Sequence, residues 1–166
     1  MSDSPDVVVL MGSRGDWEVM RHTADTLERL GVAYDVRAIS AHRAPEHLFE
    51  YAEKIEARGV KVVIAGAGMA AALPGMLAAK LTIPVLGVPI AGSSLNGMDA
   101  LLSIVQMPGG VPVGALAVGK AGAKNAALLA ASILGLSDAS IRDALQQYRA
   151  EQTADVIQND DPRKSV

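Results

Sequence analysis

Val7-Val8-Val9-Leu10-Met11 runs without a break into Gly12-Ser13-Arg14-Gly15-Asp16-Trp17. A continuous β-branched run has no polar face to show to water, so it reads as a strand covered on both sides. Downstream, Met20, Ala24, Leu27 and Leu30 recur at helical spacing, and Gly31 closes that helix. The same alternation repeats along the chain. Residues 34–39, 61–67, 85–88 and 113–118 read as further strands. Pro45 opens a second helix at a position where its missing N–H leaves nothing unsatisfied, and Leu48, Ala52 and Ile55 give it one apolar face. Residues 73–80, 98–106 and 121–134 supply the other helices. Strand–helix alternation with short connections predicts an α/β fold: a parallel sheet with right-handed crossovers and helices on both faces. The expectation is a three-layer α/β/α sandwich of flavodoxin-like form.

Residues 138–157 differ in kind. They form a polar helix with sparse apolar positions, Ile141, Leu145, Tyr148 and Val156, and no strand remains for it to cover. It either lies on its own domain or reaches a neighbouring subunit. No repeat or linker interrupts the chain, so residues 1–166 read as one domain with a core at about 7–134 and a frayed tail at 159–166.

Half of the residues are hydrophobic but only 3% are aromatic, so the core is built from Ala, Val, Ile, Leu and Met. Small side chains suit close packing of helix on sheet, and such a domain often hides its remaining apolar surface by self-association. A net charge of −3, with no basic stripe between aromatics, argues against nucleic acid as a partner. There is no cysteine, which removes disulfides, thiolate chemistry and cysteine metal sites. The polar, acidic start of the chain lacks the basic region of a signal peptide, and the apolar runs are too short to span a bilayer. A cytoplasmic protein with no membrane contact is expected.

In an open parallel sheet, ligands bind beyond the carboxyl ends of the strands where strand order reverses. Residues 12–17, 40–45 and 66–76 fall at successive strand ends, each running into a helix. The first loop offers Gly12, the Ser13 hydroxyl and the Asp16 carboxylate. Its N–H groups suit a phosphate, and Asp16 suits ribose hydroxyls. The plainer alternative is that Asp16 caps the helix starting at Trp17. The second loop, Ser40-Ala41-His42-Arg43-Ala44-Pro45, sets a planar guanidinium beside an imidazole. Arginine grips phosphate or carboxylate by two parallel bonds, and histidine is the side-chain type that moves protons near neutral pH. His22 and His47 fall inside helices and read as surface residues. The third loop has no ionisable side chain from Gly66 to Met76 and brings backbone close to a ligand or merely packs. Ser93, Ser94, Asn96 and residues 103–108 add polar groups without a role that spacing fixes. No His/Asp/Glu set has metal-ligand spacing, and no metal or other cofactor is expected.

These loops resemble a known family. Residues 12–17 are similar to its Gly-Ser-x-Ser-Asp-Trp, and residues 40–45 to its Ser-Ala-His-Arg-Thr-Pro. Residues 84–89, 101–108 and 110–113 match further blocks, and the likeness runs from about residue 7 to 134. The family is class I N5-carboxyaminoimidazole ribonucleotide mutase. The resemblance implies an isomerase of purine (IMP) biosynthesis that moves a carboxylate from the exocyclic N5 to C4 of an aminoimidazole ribonucleotide, through decarboxylation and a trapped carbon dioxide. It implies a homooctamer in which the C-terminal helix packs on a neighbour. It also implies that Ser13, Asp16 and Arg43 bind the ribonucleotide, with Gly12, Ser40, Ala41, Gly68, Met69 and Leu73 around them, and that His42 carries the proton. Three positions depart from the pattern. Met69 stands at a glycine, Ala72 at a histidine and Gly15 at a serine; the first two imply reduced activity. The alternatives are a nucleotide-binding homologue that has lost catalysis, and a direct carboxylase of aminoimidazole ribonucleotide.

Overall fold

The computed structural model describes residues 4–163. It buries every residue of the strand β1 (Val7–Met11), because this strand has a neighbour on each side and helices above and below. The chain continues through a single 3-10 turn (Arg14–Asp16) into α1 (Trp17–Arg29), then β2 (Tyr34–Ala38), α2 (Pro45–Ala57) and β3 (Val62–Gly68). It goes on through α3 (Leu73–Lys80), β4 (Val85–Ile90), α4 (Met98–Val105), β5 (Gly114–Ala115), α5 (Lys120–Leu134) and α6 (Ala139–Gln158). The five strands form one sheet in the order β2-β1-β3-β4-β5, and every pairing is parallel. The α/β three-layer arrangement read from the sequence is the arrangement found.

Alternation along each strand explains the continuous apolar runs. Val7, Val9, Met11, Val62 and Ile64 face α1 and α5, whereas Val8, Leu10, Val63 and Ala65 face α2, α3 and α4. Both faces are core, so both sets of positions are apolar. Burying a side chain such as Leu27, which is 0% exposed, contributes about 1.5–3 kcal/mol. On the α1 face, α5 presents Ala123, Ala126, Ala127, Ala130 and Ala131, all buried, and these methyls let the two helices approach closely. Thr23 of α1 donates its hydroxyl to the Ala123 carbonyl at 2.9 Å. At Gly122 an added Cβ would stand 1.6 Å from the Ala117 carbonyl oxygen, so only glycine lets α5 start where it does.

The fifth strand is shorter than the residues 113–118 expected. Only Gly114 and Ala115 pair with β4, through Leu86 and Gly87. Leu116 N–H still reaches the Gly87 carbonyl at 2.9 Å, but the next bond to β4 comes from Gly119 N–H to the Pro89 carbonyl, one residue later than a regular ladder would place it. The extra residue breaks the pairing and turns the chain into α5.

The C-terminal helix resolves into two halves. Asp138 caps it by accepting from the Ser140 and Ile141 N–H groups. Ile141 and Leu145 are buried against the chain's own core, Arg29 lies 4.6 Å over the Tyr148 ring, and Arg29 pairs with Glu151. From residue 149 to 158 every side chain is exposed, Val156 and Ile157 among them. The tail expected to fray from Asn159 falls partly outside the described residues.

Candidate active site

The chain leaves β1 for β2 on one side and returns for β3 on the other, so strand order reverses at β1. The carboxyl ends of β1 and β3 therefore open a crevice between diverging connections. A cavity of about 550 Å³ lies there. Gly12, Ser13 and Asp16 line it from the loop after β1; Ser40, Ala41, His42 and Arg43 line it from the loop after β2. Gly68, Met69, Ala72 and Leu73 line it from the loop after β3. Every site residue that the resemblance implied thus lines one space. Short backbone ties hold the loops in register: Gly12 N–H donates to the Gly66 carbonyl at 3.2 Å, and Ile39 N–H to the Met11 carbonyl at 2.9 Å.

The first two loops form a polar wall. The Asp16 carboxylate turns back on its own loop, where Oδ2 accepts from the Ser13 N–H at 2.8 Å and the Ser13 hydroxyl at 3.0 Å. Asp16 makes no side-chain cap on α1, so the capping alternative is not what the structure contains. Its place is the loop, fixed by the Ser13 pair. In the second loop the Ser40 hydroxyl accepts from both the Arg43 N–H and Arg43 Nε, each at 3.2 Å. Ala41 is 7% exposed and anchors the loop to the core, while His42 and Arg43 stand exposed. No carboxylate pairs with Arg43 among the described residues. Ala44, with φ −146° and ψ 57°, stays out of the helical region that Pro45 disfavours for it, and α2 begins at Pro45.

A buried-edge network braces the strand and helix that carry this second loop. Asp35 of β2 accepts from the Tyr51 hydroxyl at 3.2 Å and from Arg58 at 3.0 Å, on and just beyond α2, while Arg37 lies 2.9 Å from its other oxygen. Burial alone lifts the Asp35 carboxyl. The Arg58 bond, the Arg37 charge, the Tyr51 hydroxyl and the Val36 N–H outweigh it and hold the carboxyl below its ordinary range.

The third loop forms an apolar wall of residues 67–73, with Ile90 from β4 beside it. Gly68 is pressed on its neighbour, since a Cβ there would sit 3.0 Å from the Ile90 carbonyl oxygen. The Ala71 N–H closes a turn onto the Gly68 carbonyl at 3.1 Å. Within that turn Met69 has φ +56° and Ala71 has φ +30°. Such left-handed backbone costs a side-chain-bearing residue roughly 1–2 kcal/mol. Met69 is 61% exposed at the cavity rim, and Leu73, 1% exposed, belongs to the core below it.

Some sequence readings need correction. His22 is not a surface residue: it is half-buried on α1, and its Nε2 is buried without a hydrogen-bond partner among the described residues. His47 is exposed as read. Ser93, Ser94 and Asn96 do not line the cavity, nor does the 103–108 stretch, which packs through Ile104 in the core and Met107 over Gly75. Ile90 and Gly92, which do line it, were missed. They could be found only by knowing that β4 lies next to β3. Among the described residues no group of three or more His, Cys, Asp or Glu side chains is placed to hold a metal ion, and no helix is long and apolar enough to cross a membrane.

The chain matches the AIR carboxylase family model over residues 6–155. It is 60% identical to the N5-carboxyaminoimidazole ribonucleotide mutase of Pseudomonas aeruginosa over 157 residues, 95% of this chain and 96% of that one. It is 54% identical to the protein of the same name from Escherichia coli K12, covering 95% of this chain and 93% of that one. Among solved structures, Treponema denticola PurE superposes with a TM-score of 0.86 at 31% identity, covering 96% of this chain and 98% of that one. With this likeness spanning nearly its full length and its cavity at the reversal of the sheet, the chain belongs to the AIR carboxylase family.

Proposed function

We propose that this chain is an N5-carboxyaminoimidazole ribonucleotide mutase, an isomerase of purine biosynthesis, acting in the cytoplasm. The observation that carries the reading is the meeting of His42, Arg43, Ser13 and Asp16 in a single cavity whose third-loop lining is apolar. Arg43 grips the ribonucleotide phosphate, with its Nε already steadied by Ser40. Ser13 joins it by turning its hydroxyl away from Asp16, and that rotation leaves Asp16 Oδ2 to accept from a ribose hydroxyl. The exocyclic N–C bond breaks, its electron pair stays on nitrogen, and carbon dioxide is set free against the apolar wall. C4 attacks the carbon dioxide, and His42 takes the C4 proton after giving one to the departing system. One imidazole performs both transfers, so no net acid or base is consumed.

The family description names a carboxylase, while the relatives at 52–60% identity bear the mutase name, which favours the mutase. Ala72, which brings only a methyl to the cavity, favours a second reading: a nucleotide-binding protein without catalysis. Purified protein given the N5-carboxylated ribonucleotide decides among them. Formation of the C4-carboxylate supports the mutase. Turnover only from aminoimidazole ribonucleotide and carbon dioxide supports the carboxylase. Nucleotide binding without turnover, unrepaired by Ala72→His, supports the binder.

The same proposal includes a homo-oligomer, octameric by family resemblance. Met98, Leu102 and Val105 lie 49–55% exposed at spacings of four and three along α4, with the exposed Leu95 in the turn before it, an apolar stripe of the kind that contacts between copies cover. The exposed Val156 and Ile157 near the end of α6 offer a second, smaller apolar surface. Light scattering on the full chain and on a form ending at Ser137 tests this: the truncated form should have the lower mass, and a monomeric full chain sinks the oligomer.

A further inference from the structure

We infer a second ligand site beside the candidate active site: a cavity that takes a nucleoside monophosphate, its base on Trp17 and its phosphate on Arg14, with Arg37 assisting. This cavity, of about 310 Å³, is lined by Met11, Arg14, Trp17, Val36, Arg37 and Ala38. No residue lines both cavities, so the second site stands independently of the mutase reading. It lies at the outer edge of the sheet, where β2 has a neighbour only on its β1 side. The turn between β1 and α1 explains how one short loop serves two spaces. Residues 14–16 form a 3-10 turn, and side chains three apart lie above one another in such a turn. Ser13 and Asp16 therefore share one side and line the first cavity. Arg14 and Trp17 share the other and line the second.

The lining has the make-up of a small-molecule site, apolar surface with a few charged groups set into it. Met11 and Val36 pack with the core on the α1 face, which fixes that part of the lining. Trp17 is 43% exposed, and its indole offers a flat face on which a base can stack. The Arg14 side chain has no hydrogen bond or ion pair among the described residues, so its fork of donors is free for an anion. Arg37 is half committed: Nη1 donates to the Val36 carbonyl at 2.8 Å and lies 2.9 Å from Asp35, which leaves Nε and Nη2. The guanidiniums select an anion and the indole selects a ring, and only a ligand with both satisfies the whole lining. A phosphate presents oxygens to two guanidiniums at once. The volume falls at the small end of ligand cavities, roughly 300–1,000 Å³, which suits a mononucleotide rather than anything longer.

Trp17 is the one tryptophan of the chain, so fluorescence reads this cavity directly. Adenosine monophosphate titrated into the full chain should quench that emission saturably, and at the same midpoint in Arg43→Ala, which disables the first cavity. Arg14→Gln should raise the midpoint about tenfold or more, the scale of one charge-assisted bond. Adenosine, which lacks the phosphate, should bind the parent more weakly by a similar factor. An unchanged midpoint in Arg14→Gln overturns the site. Loss of quenching in Arg43→Ala does so too, by placing the probe in the first cavity. Inorganic phosphate that displaces the probe at the probe's own midpoint overturns it by reducing it to an anion site without a ring. A chain whose emission no probe quenches overturns it as well, the cavity then being covered by a second copy. None of these readings uses turnover, so this site and the mutase reading fail separately.

Discussion

The two walls of the cavity are made by different means. The polar wall is held by side chains bonding within their own loops: Asp16 to Ser13, and Ser40 to Arg43. The apolar wall has no such bonds. It is held by backbone pressed into unusual torsions between Gly68 and Leu73. The first kind of wall can exchange its internal bonds for bonds to a ligand at little cost, because hydrogen bonds replace hydrogen bonds. The second kind has no bonds to exchange and is fitted to enclosing something without polar groups. The difference predicts that substitutions in one wall change chemistry and affinity, whereas substitutions in the other change retention and stability.

The largest effect should come from His42. It is the only histidine lining the cavity, and general acid–base catalysis contributes roughly two to four orders of magnitude. His42→Asn should lower turnover by that much in steady-state assays while calorimetric titration still finds nucleotide binding. Turnover at the parent rate would remove the proton-carrying role and leave the polar wall a binding surface alone. Arg43→Ala should come next. One charge-assisted bond is worth about 1.5–3 kcal/mol, so nucleotide affinity should fall more than about tenfold, and unchanged affinity would move the phosphate elsewhere.

A smaller effect is set by pH. Asp35 braces β2 against α2, the two elements that flank the second loop, and its folded-state carboxyl lies below the ordinary range. A carboxyl depressed in the folded state contributes stability that is present above its unfolded value, near 3.9, and lost as pH falls through the folded value. Amide exchange in residues 34–44 should therefore accelerate below about pH 4, ahead of residues 68–73, which no titrating group braces. Simultaneous loss of protection in both segments would show that the walls are not independently held.

The asymmetry between walls also explains what was legible in the chain. The polar wall announces itself, because Ser13, Asp16, His42 and Arg43 carry functional groups and sit directly after strand patterns. The sheet was legible for the same reason in reverse: runs such as residues 7–11 have no polar face to place outside. The apolar wall was harder. Its residues are those of any core, and the left-handed torsions at Met69 and Ala71 leave no mark in composition. Ile90 and Gly92 join the cavity only because β4 lies beside β3, a matter of strand order that local pattern does not encode. The early end of β5 turns on one inserted residue between Leu116 and Gly119, too fine a feature for a valine-rich stretch to reveal. Likewise, α4 reads as an ordinary helix, and only the packed fold leaves its Met98-to-Val105 stripe uncovered.

The smallest expected effect isolates the strain itself. Met69 has φ +56°, and a side chain in that region costs roughly 1–2 kcal/mol that glycine avoids. Glycine in turn loses about 0.5–1 kcal/mol more than other residues through the freedom of its unfolded chain. The difference favours the variant, so Met69→Gly should raise unfolding free energy by about 0.5–1 kcal/mol in a denaturant titration. Ala70 is the internal control, since it lies in the same turn and is exposed but does not have a positive φ. Ala70→Gly meets only the entropic loss and should lower stability by a similar amount. Opposite signs at adjacent positions would assign the effect to backbone torsion rather than to lost side-chain contact. A loss at both positions would mean that Met69 is held by packing, and the apolar wall would then carry no stored strain.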